Sequence, residues 1–228
     1  KDIRTFIFEQ IQTFCLENNL PKFRAKQLEE WLWKKRATSF DEMTSLSKEI
    51  RNLFADHFVI NPVKIYKAEK SIDSTIKYSM QLHDKNLVEG VLIPSKKRIT
   101  ACISSQVGCS LDCTFCATGT LKLERNLDTA EIYDQVFILN EESISNFGKP
   151  LSNIVFMGMG EPLLNYNNLL ESIELITTNK GLGMSPKRIT VSTAGIAKMI
   201  KKLADDEIKF NLAISLHTAS DSKRDMLM

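Results

Sequence analysis

No apolar run in the 228 residues approaches the ~20 needed to cross a bilayer, so no membrane partner is expected. The charged start, Lys-Asp-Ile-Arg, has no signal-peptide character; the expected setting is cytoplasmic and reducing, which argues against a disulfide framework. Histidine is scarce, three in all, and none lies beside the cysteines. Cysteine is scarce too, five in all, and none follows Cys116. Charge of neither sign dominates: the net value of +2 names no partner by itself. What is present is an ordinary globular composition, 43% hydrophobic and 25% charged, enough for one large domain or one domain with a small accessory. The charge is unevenly placed. Residues 1–100 carry 18 Lys/Arg against 13 Asp/Glu, and residues 101–228 carry 12 against 15. A mildly basic front fits a nucleic-acid-facing accessory, although a mixed solvated surface explains so small an excess equally well.

Three of the five cysteines form one tight motif, Cys109-x3-Cys113-x2-Cys116, with Phe115 before the last. Three thiolates on a short loop can hold three irons of a [4Fe–4S] cubane, leaving the fourth iron open to bind and reduce a substrate. A zinc site would normally want four ligands in two pairs, or a pair with histidines, and only Cys113-x2-Cys116 is a standard pair. Zinc and unrelated thiols stay open as alternatives.

The chain divides by pattern. Residues 1–60 read as a small helical domain. Ile3, Phe6, Ile7, Ile11, Phe14 and Cys15 recur at helical spacing after a possible Asp2 cap. A second helix follows Pro21, bearing Phe23, Leu28, Trp31 and Leu32. A third starts near Ser47, with Ile50, Leu53, Phe54 and Phe58 as its buried stripe. Trp31 and Trp33 read as core or interface residues, Cys15 as a buried thiol, and Lys34, Lys35 and Arg36 as candidate phosphate contacts. Residues 61–97 read as a strand extension, with strands over 63–69, 74–82 and 87–93 and a turn at 83–86. Residues 98–228 alternate strand and helix: strands at 98–104, 153–157, 188–192 and 210–216, helices at 129–142, 168–178 and 194–204, and a last helix beginning near Asp221. Runs such as Asn153–Met157 suit strands buried on both faces of a parallel sheet. The expected fold is α/β, an open partial barrel with four β/α units visible.

In such folds ligands bind at the carboxyl ends of the strands, and the polar motifs fall there. Gly158-Met159-Gly160-Glu161-Pro162 offers a close backbone approach and a carboxylate able to accept from an ammonium group. Ser192-Thr193-Ala194-Gly195 offers hydroxyls, with helix capping as the plainer explanation. Ser215-Leu216-His217 ends the fourth strand. Glu89, in the apolar run Val88–Ile93, either points outward or sits desolvated as a base.

Together the segments Ser104–Cys109, Met157–Asn165 and Ser215–His217 resemble the radical S-adenosylmethionine RNA adenine-carbon-2 methyltransferases of RlmN type, which act on 23S rRNA and tRNA. The match is close over about 88–220 and holds in pattern for the helical front. The resemblance implies a (β/α)6 barrel, a [4Fe–4S] cluster on Cys109, Cys113 and Cys116, and S-adenosylmethionine against Gly160, Glu161, Ser192, Ser215, Leu216 and His217. It implies Glu89 as proton acceptor and Cys102 as the cysteine that resolves a protein–RNA adduct formed through a methyl-cysteine-derived radical. It also implies RNA and a reducing, flavodoxin-like electron donor as partners. The family's methyl-carrying cysteine lies near the C-terminus and has no counterpart after Cys116, so these residues alone are expected to be inactive. A Cfr-type carbon-8 methyltransferase and a non-catalytic, metal-stabilised RNA-binding module are the competing expectations.

Overall fold

A computed structural model describes all residues, 1–228. Its backbone is one seven-stranded sheet. Three antiparallel strands lead in: β1 (Lys64–Lys70), β2 (Ile76–Gln81) and β3 (Leu87–Pro94). β3 then pairs antiparallel with β4 (Ile99–Cys102), Val91 opposite Cys102. A two-stranded ribbon follows, β5 (Gln106–Val107) with β6 (Arg125–Asn126). From β4 the sheet is parallel through β7 (Asn153–Phe156), β8 (Ile189–Thr193) and β9 (Asn211–Ile214). The strand order is β1-β2-β3-β4-β7-β8-β9. Four parallel strands with helices on one face make the expected open partial barrel, and the three antiparallel strands continue its sheet rather than standing apart from it.

Alternation decides which face is covered. In β3, Val88, Gly90 and Leu92 are buried while Glu89 and Ile93 are exposed. The covering helix is α4 (Thr129–Phe147), started by a reciprocal cap in which Asp128 Oδ1 accepts the Glu131 N–H at 2.8 Å. Gly90 is small because α4 lies close: a Cβ there would stand 3.2 Å from Leu139 Cδ1 and 2.9 Å from Met80 Cε. α5 (Tyr166–Thr177) packs beside α4, and α6 (Ala197–Asp205) follows β8. The opposite, concave face carries Glu89, Cys102, Val155 and Ser192, all at least partly open.

The helical front has its own core of twelve buried residues, from Ile3 to Phe54. The first helix starts later than its periodicity suggests. Ile3–Thr5 is a 3-10 turn capped by Asp2, and α1 runs Phe8–Glu17. The cause is tertiary, since the Ile3 N–H donates to the Val59 carbonyl at 3.0 Å and fixes the entering chain as an extended segment. α2 (Phe23–Glu29) continues as a π-helical turn over Glu30–Lys34, and α3 (Lys48–His57) starts at the expected Ser47 cap.

A buried ion network fastens this front to the sheet. Asp134 on α4 is fully buried; its Oδ2 accepts from Arg4 Nη1 at 2.9 Å and from the Val63 N–H at 3.0 Å, and its Oδ1 from Arg36 Nε at 3.0 Å. Arg4 also donates to both oxygens of Asp2. Burial pushes the Asp2 carboxyl up, but hydrogen bonds and charge from Arg4 outweigh it and hold the group below its ordinary value. Arg36, expected to touch phosphate, is thereby committed inside the protein. Lys35 lies 3.8 Å above the Trp31 ring, which leaves Lys34 as the less engaged member of the trio. Trp33 is the interface residue: it packs against both cores, meets Tyr133 edge-on at 5.8 Å, and its carbonyl accepts the Tyr133 hydroxyl at 2.8 Å.

Candidate functional site

The cysteine loop grows out of the β5–β6 ribbon. Gly108 enters it at φ +74, where a side chain would collide with the Lys122 carbonyl at 2.0 Å. Backbone bonds then shape it: the Leu111 N–H donates to Cys109 Sγ at 3.4 Å, the Cys116 N–H to the Cys113 carbonyl at 3.0 Å, and the Gly119 N–H to the Cys116 carbonyl at 3.0 Å. All three thiols are free and partly exposed. Burial pushes the Cys109 and Cys113 thiols up, and the neighbouring cysteines and Glu161 push them further. Cys109 and Cys113 thus lie within electrostatic reach of Cys116 and Glu161. No three His, Cys, Asp or Glu side chains are drawn together as a single ion would require. Three separate thiols on one loop, beside a carboxylate and lacking a fourth protein ligand, fit a multi-iron group that uses one thiolate per iron.

The apex of the loop rests on the far end of the sheet. α7 (Asp221–Leu227) accepts the Thr114 N–H on its Leu227 carbonyl at 2.9 Å. Phe115, the aromatic of the motif, lies on His217 with ring centroids 3.9 Å apart. His217 has φ +55, so the backbone at this strand end turns through the left-handed region to place the ring there.

Behind the loop, the strand ends meet as the motifs suggested, with one difference in detail. Glu161 is 4% exposed, and both its oxygens already hold backbone: Oε1 accepts the Leu163 N–H at 3.1 Å and Oε2 the Ala194 N–H at 2.7 Å. Each oxygen keeps a second lone pair for a ligand cation. Glu161 therefore ties the β7 end to the β8 end before any ligand arrives. The glycines ahead of it make room for the chain's own packing. Gly160 has φ +93 and a Cβ there would stand 2.5 Å from Gln106 Cβ, while a Cβ on Gly158 would stand 2.7 Å from the Ile103 carbonyl oxygen. Gly160→Ala is accordingly expected to cost about 1–3 kcal/mol, from backbone strain plus displacement of Gln106. It would be read as a lower urea midpoint; an unchanged midpoint would show that the turn can relax.

At the end of β8 the hydroxyls do not cap α6. Thr193 Oγ1 accepts the Gly195 N–H at 3.0 Å, and Ser192 Oγ lies 3.4 Å from Ser215 Oγ at the end of β9. The Ser215 N–H donates to the Thr193 carbonyl at 2.9 Å, and Leu216 stays exposed. Arg224, on α7, carried no sequence signal. Its guanidinium donates to the Ser215 carbonyl at 2.9 Å, the Leu216 carbonyl at 2.7 Å and the Ala194 carbonyl.

Glu89 and Cys102 lie on the concave face beside these loops. Of the two placements open to Glu89, the outward one is found: it is half exposed and paired with Lys77 Nζ at 3.2 Å. Its carbonyl accepts the Ser104 hydroxyl at 2.7 Å, which sets Glu89 at the carboxyl end of the parallel strands. Cys102 sits between Val91 and Val155; burial pushes its thiol up, partly opposed by the Met157 N–H. Three contacts thus link these elements: Glu161 to Ala194, Ser192 to Ser215, and Phe115 of the cysteine loop to His217.

Comparison with known proteins bears on this site. Residues 2–60 match the family model of the ribosomal RNA large subunit methyltransferase N-terminal domain, and residues 103–228 match that of the radical SAM superfamily. Among curated relatives, a "Probable dual-specificity RNA methyltransferase RlmN" from Christiangramia forsetii is 58% identical over all of this chain, which covers 65% of that protein. The protein of the same name from Flavobacterium psychrophilum is 56% identical, again over all of this chain and 66% of its own length. The chain therefore spans about two-thirds or less of these relatives. A crystal structure of a radical SAM methyltransferase from Sphaerobacter thermophilus superposes with a TM-score of 0.88 at 33% identity, over 100% of this chain and 67% of that one.

Proposed function

The chain belongs to the radical SAM superfamily, and from that premise we propose that it serves to methylate carbon 2 of adenine in 23S rRNA and tRNA. The observation that carries the proposal is the closure of the cysteine loop over the strand ends, Phe115 on His217, with the Cys109 and Cys113 thiols feeling the Glu161 charge. The superfamily uses a [4Fe–4S] cluster and S-adenosylmethionine; when bound, the cluster would supply an electron for reductive cleavage of the cofactor. Cys109, Cys113 and Cys116 would hold that cluster.

Glu161 and the Ser192 and Ser215 hydroxyls would orient S-adenosylmethionine, with Gly160, Leu216 and His217 forming the wall around it. On the neighbouring concave face Glu89 would take the carbon-2 proton. Cys102, within the same face, would supply the thiol that resolves the protein–RNA adduct. Residues 1–60 would dock RNA, and residues 61–97 would carry Glu89 to the barrel of 98–228. A flavodoxin-like reductant and a cytoplasmic location complete the proposal; no helix is long and apolar enough to cross a membrane.

No cysteine follows Cys116, so the methyl-carrying thiol that this chemistry needs lies outside these residues. The test supplies the intact protein with S-adenosylmethionine, reductant and RNA under anaerobic conditions, followed by nucleoside mass spectrometry. 2-Methyladenosine is the expected product. 8-Methyladenosine would assign the carbon-8 reaction, and unmodified RNA would overturn the proposal.

A further inference from the structure

Two strand-end loops, after β8 and after β9, would have to keep a set spacing to hold one small ligand between them. The parallel β8–β9 ladder runs to Thr193 opposite Ile214 and ends with the Ser215 N–H on the Thr193 carbonyl at 2.9 Å. Beyond it the backbone is irregular, Gly195 at φ +109 and His217 at φ +55, so no ladder fixes the gap between the two turns. One guanidinium spans it. Arg224 Nη2 donates to the Ala194 carbonyl of the first loop, and Nη1 donates to the Ser215 and Leu216 carbonyls of the second at 2.9 and 2.7 Å. At the end of the ladder, just before this brace, Ser192 Oγ and Ser215 Oγ stand 3.4 Å apart. Arginine suits the task because its planar fork presents donors in two directions, whereas a lysine ammonium is a single point that cannot serve both loops. The same segment also touches the cysteine loop, through Leu227 to Thr114 and His217 to Phe115.

We propose that Arg224 is a positioning residue for S-adenosylmethionine, bracing the Ala194–Gly195 and Ser215–His217 turns at the spacing the cofactor needs without touching the reacting atoms. This rests on the assignment of the strand ends to S-adenosylmethionine made above. Removing the guanidinium leaves three carbonyls short of a charged donor, and the two turns beyond the ladder then relax away from each other.

The experiment compares intact, cluster-reconstituted wild type with R224Q and R224K. Iron and sulfide content, direct S-adenosylmethionine binding by calorimetry, and separate KM values for S-adenosylmethionine and RNA are measured. R224Q is expected to keep its iron and sulfide and its KM for RNA while binding S-adenosylmethionine about tenfold more weakly or worse. R224K should fall between R224Q and wild type. Wild-type affinity in R224Q overturns the proposal while leaving the site assignment standing. A parallel loss of iron, thermal stability and cofactor binding in both variants overturns it too, by making Arg224 a general structural residue. If R224Q does not fold, R224K decides: weakened cofactor binding with intact iron supports the brace, and unchanged binding removes it. Wild-type protein that loads iron yet binds no S-adenosylmethionine would bring down the site assignment itself.

Discussion

Asp134→Ala is expected to destabilise the protein by about 3–5 kcal/mol, because it leaves Arg36 without its carboxylate and the buried Arg4 with Asp2 alone. The Arg4 side chain is 3% exposed and that of Arg36 15%, so neither can turn to water to recover its hydration. The Val63 N–H loses its acceptor as well. Asp134→Asn should cost less, since its amide still offers one oxygen, but it removes the charge that both guanidiniums face. Urea unfolding of the three proteins side by side checks this. A loss in Asp134→Ala no larger than that of an exposed ion pair, ~0–1 kcal/mol, would mean that the network relaxes around the gap. The Lys77–Glu89 pair supplies that comparison within the same protein, with both side chains about half exposed.

Cys113→Ala is expected to abolish cluster loading, taking iron and sulfide from ~4 each per chain to near zero. The loop itself should survive. The Cys113 carbonyl still accepts the Cys116 N–H, Gly108 still makes its turn, and the apex still rests on His217. Loss of metal without loss of fold is therefore the specific expectation, read by iron and sulfide analysis together with circular dichroism. Iron and sulfide retained at wild-type levels would show that Cys113 is not a ligand, and the assignment of Cys109 and Cys116 would have to be reopened with it.

The arrangement has a simple logic. Glu161 joins the β7 and β8 ends through backbone N–H groups, Arg224 joins the β8 and β9 ends through backbone carbonyls, and the cysteine loop rests on His217 after β9 and on α7. An anionic brace takes N–H groups and a cationic brace takes carbonyls, so both signs of unpaired backbone at the strand ends are satisfied by side chains. Neither brace depends on the ligand. The pocket can therefore be held in shape beforehand, which lowers the ordering cost of binding.

Much of this was legible in the chain as written. The cysteine spacing, the alternation of apolar strands with helical patterns and the Met157–Asn165 segment are local signals, produced by backbone geometry that repeats every few residues. They located the barrel strands within a few residues and placed every motif at a strand end. Residues 2–7 misled because their apolar spacing is helical while the Ile3 N–H is claimed by Val59, a partner supplied from the other end of the helical front. Arg36 misled in the same manner: a basic run looks solvated until Asp134, 98 positions away, takes one of its members inside. Arg224 gave no warning, since three carbonyls leave no trace in residue type.

The amino-acid order alone was thus enough to specify the class of fold, the spacing of three cysteines on one loop and the kinds of side chain at each strand end, because these follow from short-range periodicity; the iron cluster was reached through resemblance to a family. Folding decided which carboxylates are buried and engaged, as Glu161 and Asp134 are, and which stand half in water, as Glu89 does. It also decided that Arg224 spans two loops. Burial and long-range pairing depend on where distant segments meet, and a linear pattern does not encode that meeting point.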